Sequence, residues 1–300
     1  MKRILVLSTA LTLLATACAD RGAGTLGPVG NGDPSPTATP TVVEPSHSPS
    51  QSPSPQPSDE TMTYEVWFAS GAGPWLFVTQ RTEPFAPAIG GAALNALFAG
   101  PSEIERDAGV FSAVPQGTRL LGLSIEDGLA TADLSAEYES GGGSASMLMR
   151  LAQLTFTLTQ FDTVDEVLFT LEGQPVGEFF SSEGIVIEDP MTRRNFADHL
   201  APIVVHGPVV GQRVTSPITV SGTANVFEAT VSISVLDAEG NEIARTFTTA
   251  TCGTGCRGDY SEAVRYEVER TQPGTVRVYE SSAEDGEPIN VVEIPVTLVA

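Results

Sequence analysis

The chain is poor in positive charge: 15 of its 300 residues are Lys or Arg against 37 Asp or Glu, for a formal net charge of −22. Its single lysine is Lys2, so beyond the N-terminus every fixed positive charge is an arginine. Removing Lys2 and Arg3 with a leader takes −22 to −24, because two positive charges are lost. No basic cluster exists to neutralise phosphates, which excludes nucleic acid as a partner and electrostatic adhesion to an anionic membrane surface. Histidine and cysteine are equally scarce, three of each. There is no HExxH pair for a zinc hydrolase and no Gly-x-Ser-x-Gly elbow for a serine hydrolase. His47 falls in a Pro/Ser-rich stretch, and His199 and His206 flank Pro202 and read as surface groups of a linker. No catalytic residue, metal site or cofactor is therefore expected.

What is present begins with an export signal. Met1-Lys2-Arg3 is a basic start, and residues 4–14 are an apolar run too short for a membrane span, which needs roughly 20 residues. Residues 1–17 thus read as a signal peptide ending at Ala15-Thr16-Ala17, before Cys18. Two processing routes fit. One is ordinary secretion at the A-x-A site. The other is a bacterial lipobox, in which Cys18 is acylated and becomes the new N-terminus. Cys252 and Cys256 flank Gly253-Thr254-Gly255, and an oxidising compartment favours pairing them as a disulfide over a reactive or metal-binding role. That leaves Cys18 alone at the cleavage point, where lipidation accounts for it. A lipid-anchored protein on the extracytoplasmic face of the cell membrane is expected.

Residues 18–61 are rich in Pro, Ser and Thr and nearly devoid of apolar residues, so they read as a disordered tether. From residue 62 the texture is that of a folded domain. Runs at 63–69 and 75–79 alternate like strands around Gly71-Ala72-Gly73-Pro74, and residues 88–98 follow helical spacing, stopped by Gly100-Pro101. Asp127-Gly128 between the runs 120–125 and 129–134 is a strong hairpin signal. Gly141-Gly142-Gly143-Ser144 leads into a second helix with Ser144 as its expected N-cap, and Met147, Leu151, Leu154, Leu158 and Phe161 form one apolar stripe. With a further strand at 164–171, the order ββαββαβ predicts an α+β domain over 62–181, one antiparallel-rich sheet with two helices on one face.

A linker over 182–200 precedes a stretch with no helical stripe. Short β runs at 218–221, 229–236, 242–249, 263–268, 275–280 and 290–298 are separated by turn residues. That spacing predicts an all-β immunoglobulin-like sandwich over 201–300, without the Cys-Trp-Cys core of antibody domains.

Two sets of motifs carry a resemblance. Leu97-Phe98-Ala99-Gly100-Pro101, Val114-Pro115-Gln116-Gly117-Thr118, Asp133-Leu134-Ser135 with Tyr138, and the run from Gln153 to Gln160 (QLTFTLTQ) occur in the order found in the GerMN domain of sporulation and germination proteins, which residues 62–181 resemble. Ile203-Val204-Val205, Pro217-Ile218-Thr219-Val220-Ser221-Gly222 and Gly274-Thr275-Val276-Arg277-Val278-Tyr279 make residues 202–300 similar to the Gmad2 immunoglobulin-like domain. The resemblance implies a non-enzymatic surface lipoprotein that works by protein–protein packing. Its expected partners are envelope proteins or further copies of itself, with the membrane engaged through the lipid on Cys18. The alternative is a small-ligand-binding lipoprotein serving a transporter or sensor, whose mark is a deep, partly apolar pocket with convergent polar groups. A cell-wall hydrolase would need a carboxylate pair in a cleft. The acidic runs Glu126-Asp127 and Asp162 with Asp165-Glu166 lack calcium-loop spacing and read as solvated surface.

Overall fold

The computed structural model describes residues 60–71, 75–176, 179–180, 184–186 and 190–300. The expected leader, Cys18, nearly all of the expected tether and residues 72–74 lie outside them. Described residues from Glu60 onward belong to one compact unit.

The first half runs β1 (Thr61–Ser70), β2 (Trp75–Pro84), α1 (Ile89–Ala99), α2 (Glu103–Asp107), β3 (Val110–Phe111), β4 (Leu120–Glu126), β5 (Leu129–Leu134), a 3-10 turn (Ala136–Glu139), α3 (Ser144–Leu158) and β6 (Glu166–Leu171), then the short strands β7 (Gln174–Pro175), β8 (Phe179–Phe180) and β9 (Ile185–Val186). The α+β class holds, but the single sheet does not: the strands divide into β2-β1-β3 and β4-β5-β6-β7. The reason lies in α3. Strand β3 covers β1 only at Ala69 and Ser70. Along the rest of that edge, side chains of α3 and its C-terminal end take the place of a neighbouring strand. Trp67 N–H donates to Thr157 Oγ1 (3.1 Å), and Gln153 Nε2 donates to Trp67 O (3.1 Å). Glu65 N–H donates to Gln160 Oε1 (2.6 Å), while Gln160 Nε2 donates to Glu65 O (2.7 Å). Gln153, Thr157 and Gln160 stand at i, i+4 and i+7, one face of a helix, which lets them reach alternate residues of a strand. An edge occupied in this way has no room for β4.

Helix α3 is correspondingly buried on all sides rather than along one stripe: Met149, Arg150, Ala152, Thr155 and Phe156 are as enclosed as Met147, Leu151, Leu154 and Leu158. Its N-cap is Gly143 with no side-chain cap, and Ser144 is the first helical residue, which corrects the expected cap. Arg150, only 1% exposed, instead closes the preceding loop by donating to Tyr138 O (2.5 Å), Ser140 O (3.1 Å) and Gly141 O (2.9 Å). The Asp127-Gly128 hairpin forms as expected, both residues having positive φ (50° and 87°).

Residues 190–200 are packed structure. Met191 bridges Val167, a 3-10 segment spans Arg193–His199, and Phe196 is buried in the first core. The second half contains β10 (Ile203–Gly207), β11 (Arg213–Val214), β12 (Ile218–Ala224), β13 (Thr230–Leu236), β14 (Glu242–Thr249), β15 (Gly258–Val264), β16 (Gln272–Ser281) and β17 (Pro288–Leu298). They form the sandwich predicted from the turn spacing: β10-β12-β15 faces β11-β17-β16-β13-β14 across a core dominated by Val and Ile. The strand expected at 263–268 begins earlier, at Gly258. Its inward positions Gly258, Tyr260 and Val264 alternate among polar residues, a weak hydrophobic signal for a well-paired strand.

Candidate binding site at the domain junction

Strand β10 belongs to both halves. Its side chains alternate by strand geometry: Ile203 and Val205 join the sandwich core, whereas Val204 joins the first core. The run Ile203-Val204-Val205 is apolar on both faces because both faces are covered. His206 meets the first domain, its Nδ1 lying 2.5 Å from Glu65 Oε1. The other carboxylate oxygen accepts from Trp67 Nε1 (3.1 Å), and the Trp67 and His206 rings meet edge to face at 5.6 Å. Gln80 Nε2 donates to His206 O (3.1 Å), and Phe77 packs against both cores. The expectation of a surface linker histidine is therefore corrected for His206, which latches the two domains. His199 is half-buried against Phe196; burial lowers its pKa, with nearby Asp198 opposing, and its Nδ1 has no hydrogen-bond partner.

Beside this latch lies a cleft of about 970 Å³ with walls from both domains. From the first come Trp67, Trp75, Phe156, Arg193 and Arg194; from the second come Ser221, Thr223, Arg257, Asp259 and Tyr260. Arg193 lies over Phe156 (4.7 Å from guanidinium carbon to ring centroid) and over Trp67 (5.6 Å). It is fixed by donating from Nε to Thr159 Oγ1 (2.8 Å) and from Nη2 to Phe156 O (3.2 Å). Arg257 donates from Nη2 to Ala201 O (2.6 Å) and from Nη1 to Thr223 Oγ1 (3.2 Å). Burial lowers the pKa of both arginines, opposed by Glu65 at Arg193 and by Tyr260 at Arg257, yet a guanidinium stays charged across the physiological range. Tyr260 is buried, which raises its pKa, and its hydroxyl donates to Val204 O (3.2 Å). That bond crosses Gly222, where a Cβ would stand 1.9 Å from Val204 O and 2.7 Å from the hydroxyl. Only glycine fits there.

The rim on the second domain includes the cysteine loop. Cys252 and Cys256 are joined by a disulfide with Cα atoms 5.7 Å apart. The loop is tied to the 225–228 segment: Gly255 N–H donates to Asn225 Oδ1 (3.0 Å) and Thr254 N–H to Val226 O (3.0 Å). Cys256 and Gly255 line the cleft. Cys18 lies outside the described residues. The acidic runs at Glu126-Asp127 and Asp162, Asp165-Glu166 are exposed. Among the described residues no group of three or more His, Cys, Asp or Glu gathers as a metal site would, and no helix is long and apolar enough to cross a membrane. Sequence reasoning missed the cleft residues. The available signal was polar: Arg193-Arg194 beside Asp198, in a stretch read only as a linker.

One further feature is an open edge. Strand β4 ends its sheet, with Leu121 (45%) and Ile125 (39%) exposed on it.

Residues 68–177 match the family described as sporulation and spore germination, and residues 202–287 match the immunoglobulin-like domain of bacterial spore germination. No curated protein matches the chain. Among solved structures, the first GerMN domain of the sporulation protein GerM from Bacillus subtilis is 20% identical, over 44% of this chain and 98% of that one, with a TM-score of 0.39. The tandem GerMN domains of the same protein are 16% identical, over 80% of this chain and 61% of that one, with a TM-score of 0.41. A putative lipoprotein from Clostridium perfringens is 18% identical, over 47% of this chain and 93% of that one, with a TM-score of 0.33.

Proposed function

From a chain that joins a GerMN domain to a Gmad2 immunoglobulin-like domain, we propose a non-enzymatic protein-binding or assembly module of the cell envelope, exported and held on the extracytoplasmic face of the membrane by a lipid on Cys18. The observation that carries the binding role is the free edge at β4. An edge strand with one side unpaired among the described residues and with exposed apolar side chains is a template for a partner strand. Edges are commonly blunted with lysine, and this chain has none beyond Lys2. The latch at β10 supports the same reading, because domains that share a strand present their surfaces in fixed relation. The most strongly buried charges are also spent on structure. Arg150 closes a loop, and Glu105 holds Arg81 bidentately at 2.7 Å for each bond.

A photo-crosslinking residue at Leu121 or Ile125 in intact cells tests the binding role. It should trap a discrete envelope protein or a second copy of the chain, and the same probe in the exposed turn at Glu239 should not. Equal labelling at all three positions, or none at the edge, would remove the proposal. For the anchor, mass spectrometry of membrane-extracted protein should find acyl chains on Cys18, and Cys18→Ala should move the protein to the soluble fraction. Mature protein in the medium beginning at an unmodified Cys18 would defeat it.

A further inference from the structure

We propose that the junction cleft is a binding site for a small anionic sugar, a ring with an apolar face and a carboxylate or phosphate group. This goes beyond a protein-binding role and is independent of it, since β4 does not line the cleft.

The charge argument is one of contrast. Over the whole chain acidic residues outnumber basic ones 37 to 15, whereas the cleft gathers Arg193, Arg194 and Arg257 against Asp198 and Asp259. Glu65, close by, bonds through its two oxygens to His206 and Trp67 and offsets part of the charge of Arg193. Three guanidinium groups lining one concave wall are local partners for an anion on a chain that is acidic as a whole. The arginines also keep donors in reserve. Among the described residues, the bonds to Thr159 and Phe156 leave Nη1 of Arg193 unspent, those to Thr223 and Ala201 leave Nε of Arg257 unspent, and exposed Arg194 makes no hydrogen bond. Fixing Arg193 and Arg257 by bonds to the fold prepays the ordering that a mobile side chain would lose on binding. Carboxylates and phosphates are the acceptors whose geometry a guanidinium matches.

The aromatic side selects the ring. Trp75 is 40% exposed at the cleft, which the buried Trp67–Phe156 pair, with centroids 4.9 Å apart, also lines. Trp75 is the exposed ring left for stacking on one face of a sugar, since Trp67 and Phe156 are buried with Arg193 over them, and the Ser221 and Thr223 side chains line the same cleft. The volume, about 970 Å³, lies within the range of small-ligand sites, and a domain interface is where such sites concentrate.

Both tryptophans of the protein line this cleft, so intrinsic fluorescence reads it without a label. Purified full-length protein should show a saturable change in tryptophan emission with glucuronate or with glucose 6-phosphate, and none with neutral glucose at equal concentration. The stronger of the two anions separates a carboxylate site from a phosphate site. Arg194→Glu should weaken binding about tenfold or more, while Arg270→Glu, at an exposed position outside the cleft, should leave it unchanged. Both variants remove a surface arginine, so their circular dichroism and melting should match the parent. Leu121→Arg should leave the titration intact even if it abolishes crosslinking at β4, which keeps the two proposals separable. The inference is overturned if glucose perturbs the emission as strongly as the anions, if neither anion perturbs it, or if Arg194→Glu titrates like the parent.

Discussion

The two domains solve the burial problem with different chemistry. The second is a sandwich whose interior is mostly Val and Ile, with the Tyr260 and Tyr266 hydroxyls bonded to backbone carbonyls and Ser234 and Glu280 also buried. The first places a helix in its centre and buries Arg150, Gln153, Thr155, Thr157 and Glu105 with it. A sandwich satisfies its backbone through ladders, so its side chains need only fill space. The first domain leaves one edge of β1 without a strand and covers it with Gln153, Thr157 and Gln160. Its polar groups therefore specify where the helix sits, and each is costly to remove because a buried partner is left unpaired.

The sharpest test of that difference is Arg150→Met. It strips the donor from three carbonyls, and a loss of about 3–5 kcal/mol is expected in denaturant unfolding. Ile233→Val in the sandwich removes one methylene and should cost only about 1 kcal/mol. The contrast fails if the two losses are similar. Acid comes next. Burial alone would raise the pKa of Glu105, but bonds from Arg81, Thr79 and the Ser102 N–H hold it at about 2. Because the folded pKa lies below the ordinary glutamate value of 4.5, the stabilisation is full above pH 4.5 and is lost as pH falls toward 2. The size is roughly 3 kcal/mol, and Glu105→Gln should flatten the dependence. In the second domain the lowered carboxyls Glu242 and Asp285 are exposed, so its acid sensitivity should be smaller. Tryptophan emission reports the first domain and its junction, since Trp67 and Trp75 lie on β1 and β2 and line the cleft. The third test belongs to the sandwich. Opening Cys252–Cys256 by Cys252→Ser with Cys256→Ser should cost about 2 kcal/mol by the entropy of so short a loop. It should lower the melting midpoint seen by far-ultraviolet circular dichroism and by tryptophan emission together.

The sequence spoke clearly where periodicity and turn chemistry act locally. Asp127-Gly128 sets a hairpin whatever surrounds it, and the sandwich strands are marked by alternation between turn residues. It spoke less clearly where a residue's role depends on a distant partner. The polar residues of α3 are apolar-face positions by spacing, and only the bare edge of β1 gives them their task. The run from Gln153 to Gln160 was visible as a family mark, yet its meaning lies in bonds to Glu65 and Trp67, some 90 residues away. The cleft was illegible for the same reason, because its lining is gathered from segments scattered between Trp67 and Tyr260. His206 and Glu65 are separated by 141 residues and share one contact.

That contact supplies the smallest expected effect and the one most able to join the two halves of the comparison. Because Val204 of β10 is embedded in the first core while Ile203 and Val205 are embedded in the second, unfolding either domain exposes apolar surface of the other. The parent chain should therefore melt in one transition, with tryptophan emission and far-ultraviolet circular dichroism giving the same midpoint. His206→Ala removes the bond to Glu65 and the edge contact on Trp67 while leaving Val204 in place. It should cost only about 1 kcal/mol. Its signature is separation of the two midpoints rather than their common fall, since a weakened junction frees each core to follow its own chemistry. Midpoints that already differ in the parent would mean that the shared strand does not couple the domains. A common fall without separation would place the coupling in Val204 and Phe77 rather than in the latch.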